Sequence, residues 1–270
     1  MSIPVEKLAP TPESVAKAFL TPRTDERTPA IVGFEGANRV ETNGPTGKLV
    51  SWQAGRGPTV LLVHGWEGRS GDMAPFIPPL LASGYRVVLV DLPAHGESEG
   101  TSSSIPACAA ALLKFQELTG PVYAVIAHSV GCALTVEAVR HGLQVERLVL
   151  IAPPARYFDY AVGFGVQAGL DRGQVAAMIA LLQEQGVDVA DVDTPKAAAS
   201  LRQPVLILHS NDDRVVPVSL GLEIASAWQG ARLLRFDGLG HRRILQAPAV
   251  IEAACSFLTT HTEVGRGQAE

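Results

Sequence analysis

Short, continuous apolar runs alternate with amphipathic stretches of helical length along most of the chain. Thr59–Val63, Arg86–Val90, Val122–Ile126, Leu148–Ala152, Pro204–His209 and Ala231–Phe236 predict strands. The continuous apolar run at Val122–Ile126 and the one at Thr59–Val63 suit strands buried on both faces, as in a parallel sheet. Between them the pattern predicts helices over 72–83, 105–118, 130–141, 217–229 and Ala247–Thr259, the first three closed by Gly84, Gly120 and Gly142. Upstream, Gly36–Glu41 and Lys48–Gln53 predict two strands joined through the turn dipeptide Asn43-Gly44. Residues 1–30 are rich in proline and charge, with a short helix expected over Glu13–Leu20. Strands alternating with helices imply right-handed crossovers and a mostly parallel sheet, an α/β fold with its chemistry at the carboxyl ends of the strands.

Residues 155–203 interrupt this alternation and read as a small inserted helical cap. Asp171-x-x-Gln174 predicts a capped helix over Gln174–Gln185 stopped by Gly186, and Thr194-Pro195 starts a second one. Val175, Met178, Ile179 and Leu182 are either core against the sheet or walls of a substrate channel, core being favoured. The chain then divides into an N-terminal segment (1–30), a core (31–154 and 204–262), the cap (155–203) and a C-terminal tail (263–270).

Composition narrows the class. The 270 residues are 47% hydrophobic with a net charge of −5, which suits one α/β domain with a large core and argues against disorder. No basic stripe is present, which argues against nucleic acid as a partner. No apolar run has the length of a membrane span, and the N-terminus lacks a signal-peptide pattern, so a cytoplasmic protein is expected. Cys108, Cys132 and Cys255 are scattered without metal-ligand spacing and read as free buried thiols.

Ala127-His128-Ser129-Val130-Gly131 is the most informative stretch. It places a serine between small residues where a strand turns into a helix, the context of a nucleophile elbow. A serine N-cap is the plainer alternative. The residue after such a nucleophile, Val130, offers one backbone N–H to an oxyanion, and the loop after the third strand offers another. In Val63-His64-Gly65-Trp66 the second donor is Trp66, whose indole is then free to wall an acyl pocket, unless Trp66 is simply a core aromatic.

Two adjacent aspartates follow the strand at 204–209. In Asp213-Arg214-Val215-Val216-Pro217 the first residue sits just after the turn and is the better acid, with Asp212 as a turn or cap residue. A solvated Asx turn is the alternative for both. Gly238-Leu239-Gly240-His241 follows the last strand, and a histidine on that glycine-rich loop can reach both Ser129 and Asp213. The other histidines fit lesser roles. His64 supports the oxyanion loop, His128 should point away from the nucleophile, His141 ends a helix, His209 lies on the acid strand and His261 is near the terminus. Asp91 and His95 are the one near pair with ligand character, and a turn is the better reading of them than a metal site.

The order Ser129…Asp213…His241 is that of α/β-hydrolase triads. With Val63-His64-Gly65-Trp66 and Asp91-Leu92-Pro93-Ala94-His95-Gly96-Glu97-Ser98, the chain resembles the α/β-hydrolase superfamily over about residues 36–260. Ala127 and Ala94 stand where the family usually has glycine. The resemblance implies the α/β-hydrolase fold and an esterase-like serine hydrolase. It would cleave a carboxylic ester or thioester of a small or mid-sized acyl substrate through an acyl-enzyme on Ser129. His241 and Asp213 complete the implied triad, Trp66 and Val130 the oxyanion hole, and no cofactor or metal is implied. Serine at 129 argues against relatives that use a carboxylate nucleophile. Cleavage of a C–C or amide bond by the same triad, or a ligand-binding receptor on the same fold, are the alternatives.

Overall fold

A computed structural model describes residues 9–23, 31, 34 and 36–259. His261 and the proposed tail lie outside the described residues, as do residues 1–8 and 24–30. Among the described residues eight strands form one sheet: β1 (Asn38–Gly44), β2 (Gly47–Ala54), β3 (Thr59–Val63), β4 (Arg86–Val90), β5 (Val122–His128), β6 (Val145–Ile151), β7 (Val205–Ser210) and β8 (Arg232–Phe236). Their order is β1-β2-β4-β3-β5-β6-β7-β8. β1 and β2 pair antiparallel, β2 meets β4 antiparallel, and β3 to β8 run parallel. Ten α-helices are described: α1 (Pro12–Leu20), α2 (Ile77–Ala82), α3 (Ile105–Thr119), α4 (Val130–Arg140), α5 (Tyr157–Gln167), α6 (Arg172–Glu184), α7 (Thr194–Ala198), α8 (Val218–Ala227), α9 (Gly240–Arg243) and α10 (Pro248–Thr259).

The sheet divides the core in two. Along β3 every residue is buried, and the pleat sends alternate side chains to opposite faces. Leu61 and Val63 join α1, α3, α4, α8 and the helices of 155–203 on one side. Val60 and Leu62 join α2 and α10 on the other. Burial on both faces is why the central strands carry continuous apolar runs. Val175, Met178 and Leu182 of α6 are buried in the first of these cores, with Ile179 packed against it, in line with the core reading of those residues.

Several local expectations need correction. The first hairpin turns at Pro45-Thr46, because Asn43 and Gly44 still pair with Lys48 and Gly47. Proline has its φ preset for a turn corner and no N–H to give to a ladder. The helix expected over 72–83 is a 3₁₀ segment, Ser70–Phe76, followed by α2. Pro75, Pro78 and Pro79 deny that stretch its regular amide donors. β6 begins at Val145, three residues before the expected start, since Arg147 is buried with its guanidinium donating to the carbonyls of Phe257 and Leu258. α5 was not expected at all. α6 starts at Arg172, and its capping box is the predicted Asp171/Gln174 pair.

Candidate active site

β5 delivers Ser129 at its carboxyl end. The residue has φ +54° and ψ −128°, a backbone shape that L-residues rarely adopt. Its N–H donates to the Ile151 carbonyl at 2.9 Å, tying the turn to β6. A methyl on Gly65 would come 3.0 Å from Ser129 Cβ, so glycine there lets the neighbouring loop approach the serine. Val130 opens α4, where helix geometry leaves the N–H without an intrahelical acceptor.

Trp66 lies in the turn Gly65–Gly68, closed by the Gly68 N–H donating to the Gly65 carbonyl at 3.1 Å. That bond uses the last amide of the turn and leaves that of Trp66 free of it. Two buried imidazoles hold the turn. His64 uses Nδ1–H on the Gly65 carbonyl (2.7 Å), and its Nε2 accepts the Leu92 N–H (3.0 Å). His95 uses Nδ1–H on the Pro93 carbonyl (2.8 Å), and its Nε2 accepts the Glu67 N–H (3.2 Å). Burial pushes both down to about 4, for His95 with a further push from His64, so both stay neutral and keep an accepting nitrogen. Asp91 accepts the N–H groups of Ser70 (2.7 Å) and Glu97 (2.8 Å). The pair Asp91 and His95 is therefore loop scaffolding. Among the described residues no group of three or more His, Cys, Asp or Glu is placed to hold a metal.

Asp213 follows β7. Its Oδ1 accepts the N–H groups of Val215 (2.8 Å) and Val216 (2.9 Å), which is what the Asp-x-Val-Val spacing builds. His209 Nε2–H donates to the Val216 carbonyl at 2.8 Å and pins the same loop from below. Asp213 Oδ2 accepts from His241 Nδ1 at 2.7 Å. Burial raises the Asp213 carboxyl, but the bonds from His241 and Val216 outweigh it and hold the group below its usual value. His241 Nε2 lies 3.0 Å from Ser129 Oγ. The structure thus brings Ser129, His241 and Asp213 into one chain of hydrogen bonds, with Trp66 and Val130 beside the serine.

Two expectations change here. His241 sits on α9, a short helical turn, instead of a plain loop. His128 does not point away: its ring lies 4.8 Å from that of His241, and its Nε2–H donates to the His241 carbonyl at 2.9 Å. Sequence reasoning missed this contact because it joins residues 113 positions apart. Asp212 is a turn residue as expected, and it also reaches the loop that carries His241. It accepts from Ser210 Oγ and from the Gly240 N–H (3.2 Å), while Ser210 Oγ accepts from Leu239 and Gly240.

A cavity of about 630 Å³ opens over the serine, well within the range of small-molecule sites. Trp66, Ile105, Tyr157, Tyr160, Val216 and Leu245 give it apolar walls. Charges at its edge are largely paired: Glu67 accepts from Arg23, and Arg156 donates to Glu223. Cys108 and Cys132 are buried, the Cys132 Sγ–H bonding to the Ala127 carbonyl under the serine turn, and Cys255 is half-buried. Among the described residues no helix is long and apolar enough to cross a membrane.

Comparison with known proteins agrees with this architecture. The chain is 28% identical over 249 residues to a pimeloyl-[acyl-carrier protein] methyl ester esterase of Xanthomonas campestris, covering 76% of this chain and 96% of that one. It is 28% identical over 238 residues to the protein of the same name from Aromatoleum aromaticum, covering 71% and 94%. An esterase from Pyrococcus furiosus superposes with a TM-score of 0.67 at 20% identity, covering 88% of this chain and 96% of that one, a likeness of fold. The sequence model of the Alpha/beta hydrolase family matches residues 60–254. That span runs from β3 into α10 and carries all three members of the hydrogen-bonded chain, and on this match the protein belongs to the alpha/beta hydrolase family.

Proposed function

We propose that the protein hydrolyses a carboxylic ester or thioester through an acyl-enzyme on Ser129. The observation that carries this reading is the continuous path from Ser129 Oγ through His241 (3.0 Å) to Asp213 (2.7 Å) beneath an open cavity. His241 Nε2 takes the serine proton as Oγ attacks the carbonyl carbon. Nδ1–H stays on the imidazole and points at Asp213, which fixes the tautomer and stabilises the imidazolium. The tetrahedral oxygen accepts from the Trp66 and Val130 N–H groups. As the intermediate collapses, Nε2–H passes to the leaving alcohol or thiol. Water then repeats the sequence, releasing the acid and restoring Ser129.

Relatives named as methyl ester esterases favour ester cleavage over amide or C–C cleavage by the same groups. The insertion 155–203 serves as a cap, because Arg156, Tyr157 and Tyr160 line the cavity. Its modest size suits a small or mid-sized acyl substrate and a soluble enzyme that needs no cofactor.

A fluorophosphonate probe tests the mechanism. It should label Ser129 in the wild type and leave Ser129→Ala unlabelled. The variant's residual hydrolysis of p-nitrophenyl esters should be only about 10³–10⁴ above water, the share left to binding and the oxyanion hole. Near-wild-type turnover by a folded Ser129→Ala protein would overturn the mechanism. A wild type that binds acyl ligands and resists the probe would instead be a ligand-binding protein on the same fold.

A further inference from the structure

His241 is the member of the triad with the least local support. It lies on the short α9, preceded by Gly238 at φ +75° and Gly240 at φ +59°. A four-residue helical turn behind two glycines does not fix its own position. On its amino side the segment is held by Ser210 and Asp212, which accept the N–H groups of Leu239 and Gly240. On its carbonyl side it is held by His128, whose Nε2–H donates to the His241 oxygen at 2.9 Å.

The chemistry of this contact is constrained. A carbonyl oxygen only accepts, so the His128 proton is on Nε2 and Nδ1 carries a lone pair. The side chain is 6% exposed. Burial, with further pushes from His241 and Arg242, lowers its pKa to about 3, so it stays neutral even beside Asp213. A neutral ring can lie 4.8 Å from the base without repelling the imidazolium that the reaction forms. His128 is also bonded covalently to Ser129. Nucleophile and base are therefore joined twice: Ser129 Oγ meets His241 Nε2 at 3.0 Å, and the side chain of the preceding residue grips the main chain of the base.

We propose that His128 is a positioning residue, holding the His241 main chain so that Nε2 stays within reach of Ser129 Oγ. The proposal rests on the serine hydrolase reading above, which the fluorophosphonate probe tests on the wild type separately.

Two substitutions separate the bond from mere packing. His128→Phe keeps a ring and removes the donor. His128→Gln places an amide N–H near the former Nε2–H. On an activated p-nitrophenyl ester, His128→Phe should lower kcat about 10-fold or more, since displacements of about 1 Å cost up to about 10²-fold. His128 also lines the cavity, but its donor is used on the His241 carbonyl and Phe keeps a ring there, so KM should change by less than about 2-fold. His128→Gln should recover kcat to within about 3-fold of wild type. The acid limb of the pH-rate profile should persist in both variants, at a lower plateau for His128→Phe. Wild-type kcat in His128→Phe overturns the proposal, as does a His128→Gln variant as slow as His128→Phe. Loss of the acid limb in His128→Phe alone also overturns it, by making His128 the base. If His128→Phe does not fold, ¹⁵N-histidine NMR of the wild-type protein decides. The Nε2–H tautomer of His128 is expected at neutral pH, and an Nδ1–H tautomer overturns the proposal.

Discussion

A methyl group on Gly131 would lie 2.4 Å from the carbonyl oxygen of His64 and 2.9 Å from that of Val63. Both obstacles are main chain at the end of β3, and neither can rotate away. The elbow and the proposed oxyanion loop are thus packed backbone to backbone. Ala127, at the other end of the pentapeptide, is fully buried with its methyl accommodated in the core. Glycine is therefore required on one side of Ser129 and not on the other. Gly131→Ala should cost at least about 1–3 kcal/mol as an overpacked core change. It should also lower kcat about 10-fold or more by displacing the loop that carries Trp66. Ala127→Gly should keep kcat and lose about 1 kcal/mol. Thermal melts and ester kinetics on the two variants check this, and the account fails if Gly131→Ala is as active and stable as wild type.

Ala94 stands in the other place where the family usually has glycine. Its φ is +62°, in the left-handed region that disfavours any Cβ by about 1–2 kcal/mol. Ala94→Gly removes that strain and loosens the unfolded chain, which returns part of the gain. A net stabilisation of about 0.5–1 kcal/mol is expected from denaturant titration, with turnover unchanged. Destabilisation would mean that the buried methyl outweighs the backbone term.

Asp212 and Asp213 divide the work of the acid loop. Asp213→Asn should lower kcat by about 10⁴, because the amide no longer holds the His241 tautomer. Asp212→Asn keeps an oxygen acceptor for the Gly240 N–H and should stay within about 3-fold of wild type. Asp212→Ala removes that acceptor, frees the base loop and should cost more than Asp212→Asn. Kinetics on the three variants would reassign the acid if the Asp212 and Asp213 effects came out reversed.

Much of the site was legible because its residues carry local signatures. The strand-turn-helix context marks Ser129, the Asp-x-Val-Val spacing marks Asp213, and the glycines before His241 mark the proposed base. What was missed depends on distant contacts. His128 meets His241 across the sheet edge, and no local pattern encodes that bond. α5 contains Gly163 and Gly165, poor helix formers. At Gly165 an added Cβ would meet Val175 at 3.0 Å and Met178 at 3.4 Å, so tight packing on α6 explains a glycine that weakens the local helix signal. Arg147 reads as the end of a strand pattern, yet the carbonyls closing α10 and the Tyr123 ring receive it inside the fold.

The buried histidines make acid stability predictable in sign. Burial holds His64 and His95 at about 4 and His128 at about 3 in the folded protein, against about 6.5 for an unfolded histidine. Between those values the unfolded chain binds more protons, so stability falls as pH drops from about 6.5 toward about 4. Each histidine adds up to about 1.4 kcal/mol per pH unit inside that window. Burial raises the Asp91 carboxyl, which contributes with the opposite sign at the acid end. Denaturant titrations at several pH values should show this slope, and His95→Gln should make it shallower by one proton. A flat profile between pH 6.5 and 4.5 would contradict the neutral, accepting roles of these rings.

The cavity wall is braced from a part of the chain upstream of the family match. α1 precedes residue 60, where that match begins. Thr11 caps it through the Ser14 N–H, with Pro12 in its first turn. Phe19 is 2% exposed and stacks on Tyr157 at 5.3 Å, with Tyr160 at 5.6 Å and Phe164 at 5.3 Å. Tyr157 and Tyr160 line the cavity, so Phe19 supports its wall without touching its contents. Phe19→Ala should cost about 3–5 kcal/mol, as expected for a buried ring. It should also let α5 shift. On p-nitrophenyl esters of increasing chain length, KM should rise for the longer acyl groups and change least for acetate. Phe19→Leu keeps most of the volume and should retain both stability and chain-length preference more closely. An unaltered chain-length profile in a folded Phe19→Ala protein would show that the tyrosine wall stands without α1.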